Sequence, residues 1–123
     1  MPSQPSRDLV AVENPHPGRD YDVVYSTPEL TCVCPMTAQP DFATVTITYV
    51  PDRHLVELKS LKLYLWSYRD VGVFHEDITN RILDDLVAAI APRRMTVHTK
   101  WNVRGGISAE VTASHDALLP PSV

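Results

Sequence analysis

The chain has 123 residues, of which 44% are hydrophobic and 21% are charged, and its formal net charge is -4. This composition is typical of one small globular domain with a single core. The acidic balance argues against nucleic-acid binding through a broadly basic surface, so any anion site must come from a local cluster of Lys and Arg. No apolar run approaches the roughly 20 residues that a membrane-spanning helix needs. We expect a cytoplasmic protein, because the N-terminal segment is polar and rich in proline.

The two ends of the chain differ in composition from its middle. Residues 1–20 contain four prolines and little apolar periodicity, which predicts a flexible or draped arm. Residues 118–123 contain two adjacent prolines and are predicted to form a loose tail. The remaining residues, 21–117, are predicted to form the single folded domain.

The first half of this domain is predicted to contain a hairpin. Over residues 41–50, apolar side chains at the odd positions 43–49 alternate with threonines at positions 44, 46 and 48, a pattern typical of a strand. Pro51-Asp52-Arg53 predicts a turn, and residues 54–59 are expected to return as the partner strand.

Two helices are predicted next. Ser60 is expected to cap a helix over residues 61–70, and Gly72 interrupts it. The second helix is indicated by aliphatic side chains that recur every four positions, namely Ile78, Ile82, Leu86 and Ile90. Pro92 is expected to end it.

A second hairpin is predicted after the helices. Residues 95–103 alternate as a strand, Arg104-Gly105-Gly106 predicts a tight turn, and residues 107–113 form the returning strand. The predicted order is β-β-α-α-β-β, an α+β domain whose antiparallel sheet carries two helices on one face. The outer strands of such a sheet need partners, and pairing between subunits is one way to supply them.

Cys34 and Asp41 are the first candidates for chemistry. The only cysteines, Cys32 and Cys34, lie too close together for a useful structural disulfide, so they are interpreted as free thiols of a reducing compartment. A thiol becomes a nucleophile as the thiolate, and a carboxyl that returns toward it can shuttle a proton. The alternative is that Cys34 packs as a small side chain and Asp41 belongs to a turn.

His75 and Glu76 begin the second predicted helix. Acidic residues there can simply complement the helix dipole. The functional alternative is that Glu76 accepts hydrogen bonds from the guanidine-like edge of a purine, with His75 as a donor beside the reacting group. Cys32, Cys34 and His75 also have the make-up of a zinc set, although Cys-x-Cys is not the usual spacing.

Lys59, Lys62 and Arg104 are candidate phosphate contacts, and Gly105 lets backbone approach a ligand closely. The alternative is that the lysines lie on a solvated helix face. The sequence lacks a Gly-x-Gly-x-x-Gly motif and a parallel β-α pattern, so any nicotinamide cofactor needs a cradle other than a Rossmann fold.

Four segments between residues 26 and 108 jointly resemble a known family: Cys34–Phe42, Glu57–Tyr64, Phe74–Asp77 and Arg104–Ser108. They are similar to the short, single-domain nitrile reductases of the QueF family, which convert 7-cyano-7-deazaguanine to its aminomethyl form. The resemblance implies the tunnelling fold, in which subunits join edge to edge into a barrel. Two departures are Ala38, where glycine is expected, and the additional thiol of Cys32.

The resemblance also implies roles for individual residues. Cys34 is the implied nucleophile that forms a covalent thioimide, Asp41 the acid that protonates the nitrile nitrogen, and His75 an assistant in that step. Glu76, with His75, is implied to bind the deazaguanine. The implied NADPH-binding residues are Glu57, Leu58, Lys59, Ser60, Lys62, Tyr64, Arg104 and Gly105.

The implied setting is a homo-oligomer whose active sites lie between subunits, with NADPH as cofactor and no metal. The implied partner is the small-molecule nitrile, neither nucleic acid nor a membrane, and the implied pathway is queuosine biosynthesis for tRNA modification. Three alternatives stay open: an NADPH-independent relative that adds ammonia to the same nitrile, a zinc-dependent pterin or GTP hydrolase, and a purine-binding module without activity.

Overall fold

The computed structural model describes residues 2–119. Its elements, in chain order, are β1 (Ala11–Glu13), β2 (Val23–Val33), β3 (Pro40–Val50), β4 (His54–Val56), α1 (Leu58–Trp66), α2 (His75–Ile90), β5 (Arg94–Arg104) and β6 (Ile107–Asp116). One antiparallel sheet has the strand order β2-β3-β5-β6, and β1 pairs with β4 in a separate two-stranded sheet. Both helices pack against one face of the large sheet, so the predicted α+β architecture is confirmed.

The core lies between that face and the helices. The apolar side chains at odd positions 43–49 of β3 are at most 1% exposed, and so are the four aliphatic side chains that recur every four positions in α2. Burying each aliphatic side chain of this size contributes about 1.5–3 kcal/mol. The alternation predicted for β3 and the amphipathic helix predicted for α2 are therefore confirmed.

The predicted first hairpin is wrong in its partner strand. β3 pairs with β2, not with residues 54–59. Only His54–Val56 of that segment form a strand, and they pair with β1, where Val12 lies opposite Leu55. The segment cannot continue as a strand because Glu57 already begins a helix.

The start of α1 also differs from the prediction. The helix runs over Leu58–Trp66, and its N-cap is Glu57, whose carboxylate accepts hydrogen bonds from the backbone N–H groups of Lys59 and Ser60. Ser60 instead lies one turn inside. Its hydroxyl donates to the Glu57 carbonyl (2.8 Å) and accepts from the Val10 N–H (3.0 Å).

Part of the arm predicted over residues 1–20 is strand β1, which lies beside the start of α1. The Val10 carbonyl accepts from the Glu57 N–H (2.8 Å), and the Arg7 guanidinium lies 4.2 Å from the centre of the Tyr68 ring. The N-terminal segment therefore holds helix α1 in place. The tail predicted over residues 118–123 lies mostly outside the described residues, which end at Leu119.

Candidate active site

Cys34 lies in the short loop that joins β2 to β3. The loop closes on itself: the Cys34 N–H donates to the Gln39 carbonyl (2.8 Å), and the Ala38 N–H donates to the Cys34 carbonyl (2.9 Å). Ala38 has a φ of 60°, the left-handed region that only glycine enters without a steric cost. The resemblance implied glycine at this position, and the positive φ of Ala38 gives the physical reason.

The pKa values of the two thiols are shifted in opposite directions. The pKa of Cys34 is lowered from its ordinary value by hydrogen bonds from the Thr37 hydroxyl and from the backbone N–H groups of Met36 and Thr37, which outweigh desolvation and the nearby Asp41 charge. Cys32 is fully buried, and burial, with smaller contributions from Asp41 and Cys34, raises its pKa to about 12. Cys34 is therefore the thiol that can act as a nucleophile.

Asp41 connects the loop to two cationic or polar side chains. It is only 6% exposed, and its two carboxylate oxygens contact His75 Nε2 (3.2 Å) and Arg104 Nη1 (2.7 Å). The second guanidinium nitrogen of Arg104 donates to Gln39 Oε1 (2.7 Å). Since β3 begins at the end of the loop, Asp41 lies at the start of that strand and borders the same cavity as Cys34.

His75 and Glu76 enter from the first turn of α2. Phe74 is the N-cap residue, and its side chain accepts no hydrogen bond from the helix. The first backbone N–H groups of α2 therefore have no side-chain acceptor at this end of the helix. Together these elements border an open cavity of about 200 Å³, lined by Cys34, Pro35, Asp41, Val73, Phe74, His75, Glu76 and Arg104. The structure therefore brings together the four side chains predicted for catalysis and substrate binding, while their individual roles remain predictions.

Trp101 belongs to the site and was missed by the sequence reasoning. Its ring stacks on the His75 imidazole with centroids 3.9 Å apart and planes at 3°. The sequence did contain a signal: Thr99 and Trp101 both lie on the core-facing side of β5. A hydroxyl and an indole N–H on a buried face need hydrogen-bond partners, and each can serve the other.

The segment Glu57–Tyr64, predicted to bind the cofactor, divides into inward and outward side chains. Glu57 caps α1, Ser60 is 6% exposed, and Tyr64 is 1% exposed with its hydroxyl 2.5 Å from Asp85 Oδ2. Leu58, Lys59 and Lys62 are exposed. Within one chain, only the outward set is available to a ligand.

Lys62 borders a second, larger cavity between α1 and β2. Its volume is about 610 Å³, and it combines the cations Lys62 and Arg69 with apolar side chains that include Leu58, Phe42 and Trp66. The two cavities have no lining residue in common. Lysine and arginine suit phosphate groups, and flat apolar side chains suit a nucleotide base, so these residues fit a dinucleotide.

Arg104 and Gly105 lie apart from the outward lysines of α1. Arg104 borders the small cavity with Cys34 and pairs with Asp41. Gly105, with φ of 56°, and Gly106, with φ of 77°, form the turn between β5 and β6. The structure thus places Arg104 at the thiol site of its own chain, and Gly105 follows it in the turn.

The zinc set weighed from the sequence is not assembled. Cys32 faces the core, where its thiol lies 3.8 Å from the Val73 carbonyl. Among residues 2–119, no three His, Cys, Asp or Glu side chains converge as a metal-binding group. Over the same residues, no helix is both long and apolar enough to cross a bilayer.

The architecture and the thiol-containing cavity define a small α+β domain with a candidate cysteine nucleophile. The family model described as "QueF-like protein" matches residues 40–118, a range that contains Asp41, His75, Glu76 and Arg104, and the chain belongs to this family. The family predicted from the sequence is confirmed.

Several relatives share most of their length with this chain. Proteins named NADPH-dependent 7-cyano-7-deazaguanine reductase are 60% identical over 116 residues in Thermomicrobium roseum, covering 94% of this chain and 91% of the relative. The one from Anaeromyxobacter dehalogenans is 63% identical over 115 residues, covering 94% of each chain. The one from Halorhodospira halophila is 59% identical over 115 residues, covering 94% of this chain and 98% of the relative. These names agree with the predicted enzyme class and cofactor.

A solved structure has the same fold. The apo form of the archaeosine synthase QueF-Like superposes with a TM-score of 0.73 at 26% identity, covering 80% of this chain and 96% of that chain. The predicted fold class is therefore confirmed for the subunit, and the barrel of subunits stays a prediction.

Proposed function

We propose that this chain is an NADPH-dependent nitrile reductase that converts 7-cyano-7-deazaguanine to 7-aminomethyl-7-deazaguanine. The observation that carries the proposal is the small cavity, in which a thiol of lowered pKa lies beside Asp41, His75 and Glu76. Relatives about 60% identical over nearly the whole chain bear the name of this activity.

The first step is attack by the Cys34 sulfur on the nitrile carbon. One carbon–nitrogen π bond breaks as the carbon–sulfur bond forms, and the nitrogen takes up a proton. Asp41 is buried and hydrogen-bonded to His75, so this pair accepts the thiol proton and returns it to the nitrile nitrogen. The product of the step is a neutral thioimide that holds the substrate on Cys34.

Two reductions complete the conversion. NADPH supplies one hydride to the former nitrile carbon in each of them. The chain's own residues have two tasks: the Asp41–His75 pair delivers the protons that the nitrogen needs, and Cys34 leaves as thiolate when the carbon–sulfur bond breaks. The hydrogen bonds that lower the pKa of Cys34 also make it a better leaving group.

Glu76 is proposed to recognise the heterocycle. It is exposed in the first turn of α2 and borders the small cavity beside His75. An ionised carboxylate accepts hydrogen bonds and donates none, which matches the N–H groups on the guanidine-like edge of a deazaguanine. The helix start adds a positive dipole end, which attracts the negative charge of such a carboxylate.

The outward face of α1 is proposed to hold NADPH. Lys59 and Lys62 supply positive charge for phosphates, and the cavity beside Lys62 offers a further cation in Arg69. Arg104 is engaged with Asp41 in this structure, so a phosphate contact requires its guanidinium to leave that carboxylate.

The wider setting is part of the same proposal. Residues 21–117 form the catalytic domain, a homo-oligomer builds each active site between subunits, and the product serves queuosine synthesis for tRNA modification. Two free thiols suit the reducing cytoplasm, where we place the protein.

A second candidate comes from the solved structure. The archaeosine synthase QueF-Like has the same fold, and an enzyme that adds ammonia to the nitrile needs the thiol and carboxylate without a hydride donor. Lys62, which borders a cavity suited to a dinucleotide, favours the reductase, and Lys59 is exposed on the same helix.

The test is NADPH oxidation on addition of 7-cyano-7-deazaguanine, with the amine quantified. We expect two NADPH consumed per amine formed. Cys34→Ala should abolish turnover, whereas Cys32→Ala should retain it, because Cys32 faces the core. A Cys34-dependent adduct without NADPH oxidation would instead support the ammonia-adding candidate, and full turnover by Cys34→Ala would refute covalent catalysis.

A further inference from the structure

The environment of His75 contains a second layer of contacts that the proposed chemistry does not use. Trp101 covers one face of the imidazole, with ring centroids 3.9 Å apart and an interplanar angle of 3°. Trp101 is 3% exposed and lies on β5, where its backbone is paired on both sides, with Ala43 of β3 and Ala109 of β6. The indole is thus attached to a strand position that is paired on both sides.

A chain of hydrogen bonds joins the indole back to His75. The Trp101 Nε1–H donates to Thr99 Oγ1 (2.9 Å), the hydroxyls of Thr99 and Thr79 lie 2.7 Å apart, and the Thr79 hydroxyl donates to the His75 carbonyl (2.8 Å). Thr79 and Thr99 are both 0% exposed.

The hydrogen bonds in this series can run in only one direction. The indole nitrogen has a proton and no acceptor, and the single hydroxyl proton of Thr79 is engaged by the His75 carbonyl. Thr99 must therefore donate to Thr79. Every proton between the indole and the His75 backbone is assigned, so His75 is fixed at its ring by stacking and at its carbonyl by a hydrogen bond.

We propose that Trp101 is a positioning residue for the thiol chemistry, and that it acts through His75. The stack fixes the plane of the imidazole, and that plane keeps Nε2 at 3.2 Å from Asp41 Oδ2, beside Cys34. Without the indole, the ring is free to turn about its side-chain bonds, and the proton path between Asp41 and the nitrile loses its geometry. This inference rests on the proposed function.

The test is the rate of covalent adduct formation on Cys34 when the nitrile is mixed with enzyme in the absence of NADPH, followed across pH by intact-protein mass. Trp101→Leu should slow the adduct step roughly 10- to 100-fold, the scale expected when a reacting group is displaced by about 1 Å, and should change the pH profile of the rate. Nitrile affinity, measured in the Cys34→Ala background, should change far less, because Glu76 recognises the heterocycle. Trp101→Phe retains a flat face and should recover most of the rate.

Tyr49→Phe provides the matched control for a general loss of stability. Tyr49 is 1% exposed, its hydroxyl accepts a hydrogen bond from the Val56 N–H (3.3 Å), and it lies at the far end of the strand that carries Asp41. This variant should melt at a lower temperature and still form the adduct at the wild-type rate.

The outcomes separate the two proposals. Wild-type enzyme that forms no adduct refutes the proposed function. Wild-type enzyme that reacts, together with folded Trp101→Leu that reacts equally fast with the same pH profile, overturns the positioning role. If Trp101→Leu does not fold, Thr99→Val decides, because it removes the indole's acceptor at nearly constant shape: slower adduct formation supports the role, and a rate equal to that of Tyr49→Phe overturns it.

Discussion

Two cysteines separated by one residue have opposite chemical properties in this chain. Cys34 lies in a loop whose hydroxyl and N–H donors stabilise the thiolate, and its pKa is lowered. Cys32 lies in the core, where desolvation raises its pKa to about 12. Because thiol-directed reagents attack the thiolate, alkylation of the folded protein near neutral pH reports on Cys34 alone.

Thr37 is the first cause of the lowered pKa of Cys34, and its removal gives a prediction. Thr37→Val keeps the side-chain shape and removes the donor, so the pKa of Cys34 should rise. The pH midpoint of iodoacetamide labelling should then move upward. Labelling below the midpoint should slow, because a smaller fraction of the thiol is then present as the reactive thiolate at each pH.

Two controls accompany the measurement. Cys34→Ala should remove the fast labelling phase altogether, and Thr37→Ser should restore the wild-type midpoint because it returns the hydroxyl. An unchanged midpoint in Thr37→Val would show that the backbone donors of the loop, not the hydroxyl, set the acidity of Cys34.

Sequence motifs predicted which residues meet at the site, but not how they pair. The grouping of Cys34 with Asp41, His75 and Glu76 follows from short segments with recognisable order. The ion pair between Arg104 and Asp41 depends on how β5 is aligned with β3 and on the turn beyond it. That information lies in strand register, which no local pattern in this sequence displays.

At the scale of elements, the segment Glu57–Tyr64 serves its own fold as well as a proposed ligand. Glu57 caps α1, and Ser60 joins the helix to Val10. Lys59 and Lys62 point outward with no such task. Substitutions within this one segment are therefore expected to have two different effects: some lower the stability of the fold, and others weaken the binding of the proposed ligand.

Glu57→Ala and Lys62→Ala should separate these two kinds. Loss of the cap should lower the free energy of unfolding by about 1 kcal/mol, measured by urea denaturation. Lys62→Ala should leave the unfolding curve unchanged and raise the KM for NADPH, with a smaller effect on kcat. A Lys62→Ala enzyme with wild-type KM would remove Lys62 from the cofactor site, and unchanged stability in Glu57→Ala would show that the cap is dispensable.

Strand β2 shows why part of the fold was not predictable. Its pairing with β3 shifts between Thr27 and Leu30, so core-facing residues fall at odd positions before the shift and at even positions after it. A search for strict alternation therefore does not find this strand. β3 and α2 were predictable because one unbroken period runs through each of them.

At the scale of the whole molecule, the structure leaves two features that point to assembly. Over residues 2–119, the outer edge of β2 has no partner strand apart from a bridge between Val33 and Gly72, and β6 likewise pairs on one side only. The thiol cavity and the cavity beside Lys62 share no lining residue. The proposed hydride transfer to a carbon held on Cys34 requires both functions at one place, and a neighbouring subunit joined along a sheet edge can supply the second of them.

Subunit complementation tests this arrangement. Cys34→Ala lacks the nucleophile, and the double variant Lys59→Ala with Lys62→Ala lacks the proposed phosphate contacts, so each alone should be inactive or nearly so. If every site takes its thiol from one subunit and its lysines from the next, random mixing of equal amounts leaves about a quarter of the sites intact. Activity should therefore appear after the two variants are dissociated together and reassembled, with native mass spectrometry confirming mixed oligomers. Mixed oligomers that stay inactive would place the thiol and the lysines of each site on the same subunit.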